Sequence, residues 1–69
     1  MDSISDRLAL IMKEQGLNQS KLAEALTISP NSVSLWLRGK TKPSSQSIDQ
    51  ICSKYGYNRD WLLNGVGEP

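Results

Sequence analysis

The stretch that decides the fold runs from Gln19 to Gly39 and reads QSKLAEALTISPNSVSLWLRG. Two short apolar patterns of helical spacing meet in it: Leu22, Ala23 and Leu26 in the first, Val33 and Trp36 in the second. Between them stand Thr27 and Ile28, and then Ser29-Pro30 opens the second pattern. Serine serves there as an N-cap, and proline takes the first helical position, where its missing N–H is no loss. A helix that begins so soon after another cannot lie alongside it. It leaves at a steep angle, with its N-terminus and one polar face standing clear of the body.

The flanking residues read as support for that second helix. Asn18 caps the first of the pair, expected over about 19–26, and the second is expected over about 29–38, ending at Gly39. Upstream, Ser3 caps a helix of about 4–15 with Asp6 in its first turn. Its face carries Ile4, Leu8, Ile11 and Gln15, with Met12 on the flank; Gly16 stops it and Leu17 folds back over the core. Downstream, Lys40-Thr41-Lys42-Pro43 is a basic connector with no apolar residue in need of burial. Ser44 or Ser45 opens a fourth helix, with Ile48, Ile51, Cys52 and Tyr55 on one face and Gly56 as its stop. Asn58 caps a last short helix, 59–64, carrying Trp61, Leu62 and Leu63. The expected fold class is therefore all-α. One compact five-helix domain occupies 1–65, helices 2 and 3 form a helix-turn-helix, and 66–69 is a tail or the start of a linker.

Composition narrows the chemistry. A 69-residue chain buries only about 60% of its unfolded surface, so it needs staples or efficient helix packing. With one cysteine and no histidine there is no disulfide and no plausible zinc site, and no cofactor is expected. Cys52 reads as a small core hydrophobe. The sequence shows no paired carboxylates for acid–base work, no nucleophile beside a histidine and no glycine-rich phosphate loop, so enzyme chemistry and a small-molecule ligand are not expected. The longest apolar run, Leu8 to Met12, is far too short to span a membrane. A lone thiol without a signal-peptide pattern gives the expectation of a cytoplasmic location.

Net charge is +1, which alone does not suggest nucleic acid, but its distribution does. Residues 1–14 and 49–69 each sum to −1, whereas 15–48 sum to +3, and no acid lies between Ala25 and Ile48. The basic excess falls on the protruding helix and the connector after it. On that helix, Pro30, Asn31, Ser34, Leu35 and Arg38 are expected to face outward, Leu35 exposed to water. Asparagine can bond adenine at N6 and N7 together, and an apolar side chain can meet the thymine methyl. We therefore expect Asn31, Leu35, Ser34 and Pro30 to read bases. Asn18 and Gln19, at a helix N-terminus that favours anions, are expected to hold phosphate together with Ser29, Ser32, Arg38, Lys40 and Lys42.

The ordered segments GLNQSKLA, SPNSVSLW, RGKTKPS and DWLLNG resemble the lambdoid-phage repressor and Cro family, of the wider XRE type, over roughly residues 5–65. The resemblance implies a lambda-repressor-like five-helix domain whose helix matching Ser29–Leu37 enters the major groove. It implies a phosphate contact at Gln19, base edges facing Asn31 and Leu35, and backbone contacts from Lys40–Lys42. It also implies a homodimer on double-stranded DNA with a two-fold symmetric operator, acting as a transcriptional repressor or Cro-like regulator. Where relatives continue into a linker and a second domain, this sequence reaches Gly65–Pro69 and is compatible with a short Cro-type protein or part of a longer repressor.

Three positions depart from the family pattern. Thr27 stands where glycine is frequent, so either the turn is shaped differently or Thr27 occupies an ordinary backbone region. Met12 and Leu37 replace an arginine–glutamate pair, and are expected to pack together in its place. Leu35 replaces a residue that is commonly polar. An alternative reading follows: an antitoxin-like or adaptor module that uses Leu35, Leu10 and the Trp61–Leu63 region to bind a protein.

Overall fold

Each helix starts one residue after a side-chain oxygen that accepts from its first turn. Ser3, Asn18, Ser29, Ser44 and Asn58 are the five N-caps, all in extended backbone. The computed structural model describes residues 3–69, with α1 at Ile4–Gln15, α2 at Gln19–Leu26, α3 at Pro30–Leu37, α4 at Ser45–Tyr55 and α5 at Arg59–Asn64. Met1 and Asp2, at the start of the expected 1–65 domain, lie outside the described residues. At α1 the cap is reciprocal: Ser3 Oγ accepts from the Asp6 N–H, and the Ser3 N–H donates to Asp6 Oδ2 at 3.1 Å. These bonds hold the Asp6 carboxyl below its ordinary pKa.

All five helices contribute to one core. Leu8, Ile11, Leu22, Val33, Ile48, Ile51 and Leu62 are fully buried, and Met12, Trp36 and Trp61 close around them. Ile4, Leu17, Leu37 and Cys52 pack on its edge. Half-burial raises the Cys52 thiol pKa through desolvation, consistent with a packing role. Gln15, expected on the buried face of α1, is exposed instead; its Nε2 donates to Tyr57 Oη, which in turn donates to Glu14. The Tyr57 ring stacks on Trp61 with centroids 5.9 Å apart.

Arg7, which has no role in the sequence reading, is a charged residue taken into the core. It lies on the core side of α1, 6% exposed, and its guanidinium donates to the carbonyls of Leu62 at 2.9 Å and Leu63 at 3.2 Å. These are last-turn carbonyls of α5, where a cation is favoured by the helix dipole and by orphan acceptors. A signal existed in the sequence: Arg7 falls between Ile4 and Ile11 at helical spacing, on the apolar stripe. Residues 65–69 form no helix. They turn back on α5, so that the Asn58 N–H donates to the Pro69 carbonyl at 2.9 Å. No helix of the described residues is long and apolar enough to cross a membrane.

Candidate nucleic-acid interface

The turn between α2 and α3 is built around Thr27 in the left-handed region, at φ 58° and ψ 46°. This corrects both alternatives drawn from the sequence: the turn is not reshaped and Thr27 is not in an ordinary region, but threonine itself takes the left-handed geometry. Two hydrogen bonds hold it there: Thr27 N–H to Glu24 O at 3.2 Å and Ile28 N–H to Ala23 O at 2.9 Å. Ile28 packs against the core just beyond. This is the six-to-one closure of a helix C-terminus, with an apolar residue covering it. Ser29 then starts α3 at once, and α3 packs more extensively on α2 than any other pair of helices pack.

Eight residues give α3 a length of about 12 Å, close to the width of the B-DNA major groove. Val33 and Trp36 fix its inner face at 0% and 6% exposure. Pro30 and Asn31 are exposed at its N-terminal end, and Ser32 and Ser34 are half-buried. Leu35 corrects the sequence reading. It is half-buried rather than exposed, on a turn of α3 toward which the following chain wraps back. The wrap is visible in the Leu35 carbonyl, which accepts from the Lys40 N–H at 2.9 Å.

The residues expected from the sequence to hold phosphate lie at the starts of α2 and α3 and in the turn after α3. Asn18 and Gln19 are exposed at the N-terminus of α2. Asn18 Oδ1 accepts from the Lys21 N–H at 2.8 Å, so its amide nitrogen remains the group for an anion. Ser29 is similarly committed: its Oγ accepts from the Ser32 N–H at 3.3 Å and lies 3.2 Å from the Ser32 hydroxyl. After α3, Gly39, at φ 73°, reverses the chain, and its N–H donates to the Trp36 carbonyl at 3.1 Å. Arg38, Lys40 and Lys42 project from that reversal, all exposed. Pro43 corrects the description of the connector as free of buried apolar groups. It is buried, in a cleft lined also by Ser3, Ile4, Arg7 and Leu63.

The surface expected to serve a protein partner is not assembled. Trp61 and Leu62 are core, Leu35 and Leu63 are half-buried, and Leu10 stands at 42% exposure. A shallow groove between α2 and α4, lined by Ala25, Gln46, Asp49, Gln50, Ser53 and Lys54, includes none of the interface residues. Among the described residues no cluster of three potential ligands could hold a metal. Sequence reasoning missed Ser5, which donates from α1 to the Trp36 carbonyl at 2.6 Å. Nothing local distinguishes Ser5 from any other polar residue in a first turn.

Comparison with known proteins agrees with this architecture. The family model described as helix-turn-helix matches residues 8–62. The chain is 45% identical over 69 residues to the repressor protein CI of Enterobacteria phage phi80, covering all of this chain and 29% of that repressor. It is 34% identical over 68 residues to the HTH-type transcriptional regulator PrtR of Pseudomonas aeruginosa, covering 99% of this chain and 26% of the regulator. It therefore spans less than a third of the length of either relative. In fold it is similar to the P22 c2 repressor, solved in complex with a synthetic operator. That match has a TM-score of 0.84 at 22% identity and covers 94% of this chain and 98% of the other.

Proposed function

This chain belongs to the helix-turn-helix family, and from that premise we propose that it binds double-stranded DNA sequence-specifically, as the DNA-binding part of a transcriptional repressor or Cro-like regulator. One observation carries the reading. A groove-sized helix without a single acid, exposed at Pro30 and Asn31, leads straight into the exposed cations Arg38, Lys40 and Lys42, and Asn18 and Gln19 are exposed at the start of the helix before it. Solvated helices ordinarily mix both signs of charge, and a face clear of carboxylates avoids repelling phosphate.

In this reading α3 lies in the major groove. Asn31, near its N-terminal end, makes the base-specific hydrogen bonds, and Pro30, Ser34 and Leu35 complete the face, with the half-buried Leu35 suited to a thymine methyl. Asn18 and Gln19 grip one backbone strand, Arg38, Lys40 and Lys42 the other, while Ser29 and Ser32 act mainly by holding the start of α3. Phosphate contacts set the register and α3 sets the sequence. Two copies on a two-fold operator, with half-sites about 34 Å apart, would present both α3 helices to successive major grooves. The relatives named as repressors support regulation by binding, and such a function belongs in the cytoplasm.

The test is selection of duplexes from a random pool, followed by titration at several salt concentrations. A selected site bound with steep salt dependence is the expected result. Asn31→Ala should lose about 1–3 kcal/mol of discrimination at one base pair. Lys42→Ala should weaken all sequences alike and reduce the salt slope by about 0.9. A pool that emerges without sequence preference, from a chain that copurifies with a tight protein partner, would replace this reading with the adaptor one.

A further inference from the structure

The first turn of α1 supports the interface from behind. Ser5 Oγ donates to the Trp36 carbonyl in the last turn of α3 at 2.6 Å, across 31 residues of sequence. The same hydroxyl stands 3.8 Å from where a Cβ on Gly39 would lie, so the reversal after α3 passes directly over it. Satisfying the carbonyl does not require this bond, because the Gly39 N–H already donates to it at 3.1 Å. A carbonyl oxygen has two lone pairs, and Ser5 takes the second. What the extra bond supplies is direction. Further along, Lys42 and Pro43 share a cleft with Ser3, Ile4 and Arg7, so the end of the basic segment also rests beside α1.

We propose that Ser5 is a positioning residue for DNA binding: through the Trp36 carbonyl it fixes where the Arg38–Lys42 turn stands relative to the reading face of α3. The proposal rests on the DNA-binding reading above. Without the Ser5 bond, α3 keeps its caps and its buried Val33 and Trp36, but the cations at its far end lose their fixed offset from Asn18 and Gln19. The consequence is a loss of phosphate contacts with little change in which bases are preferred.

Wild type, Ser5→Ala and Ser5→Thr provide the test, with two readouts. In amide hydrogen exchange, Ser5→Ala should speed Gly39 and Lys40 on the order of tenfold while α2 amides keep their wild-type rates, and Ser5→Thr should restore protection. In titrations on a duplex selected by wild type, Ser5→Ala should bind about tenfold more weakly with a salt slope shallower by about 0.9 and an unchanged base preference. Wild-type exchange at Gly39 and Lys40 in Ser5→Ala overturns the proposal. So does weaker binding at an unchanged slope, which marks a general loss of structure. A wild-type chain with no sequence preference overturns the DNA reading and this role with it, and is recognised before any Ser5 variant is compared.

Discussion

Thr27 occupies a left-handed conformation that costs a residue with a Cβ about 1–2 kcal/mol. Glycine would remove that strain, though its looser unfolded chain returns roughly 0.4–1 kcal/mol. Thr27→Gly is therefore expected to stabilise the chain by somewhat under about 1 kcal/mol, a rise of a few degrees in thermal midpoint followed by circular dichroism. A fall in midpoint would mean that the threonine side chain makes a compensating contact. Asp6 gives a second prediction at this scale. Its hydrogen bonds to Ser3 lower its folded pKa below the ordinary 3.8. Its contribution to stability is then fully present above that value and lost as pH falls through the folded pKa. Asp6→Asn should flatten the acid limb of stability against pH below about pH 4, with little change in that slope near neutrality.

At the scale of elements, α1 organises the bundle through polar side chains as well as apolar ones. Arg7 closes the C-terminus of α5, and Ser5 reaches the C-terminus of α3. Replacing Arg7 by methionine keeps much of its apolar stem but leaves the Leu62 and Leu63 carbonyls without a charged donor. Hydrogen bonds to charged groups contribute about 1.5–3 kcal/mol, and Arg7→Met should cost about that much in urea unfolding. The loss should show first as faster exchange in α5, because that helix has only six residues and depends on tertiary contacts. The exposed Arg59–Asp49 pair between α4 and α5 adds little by comparison.

For the whole molecule, a radius of gyration of 10.7 Å matches the roughly 11 Å expected for a compact chain of this length. Domains of this size have a stability of only about 3–10 kcal/mol. Trp36 belongs to the core and to the helix proposed to read DNA, so Trp36→Ala, at about 3–5 kcal/mol, should remove at least roughly a third of that stability. Urea unfolding should show a much lower midpoint with a similar slope. The helices were legible in the sequence because their signals are local: five caps, apolar spacings, and a proline at the start of α3. The half-burial of Leu35 was not, and neither were the burial of Arg7 and Pro43 and the reach of Ser5, the last three because each depends on an element distant in sequence.

The sequence by itself determined where each helix starts and stops to within a residue or so, most of the apolar residues of the core, and that a second helix follows the first after only a short turn. Capping oxygens, helical periodicity and the short Thr27-Ile28 turn act over a few residues and need no partner. Only the tertiary structure decided how α3 is held. The left-handed strain at Thr27 is sustained by Ile28 packing on the core, and the basic turn after α3 is fastened to α1 by Ser5. These contacts join residues far apart in the chain, and they form only once the shared core has brought α1, α3 and α5 together.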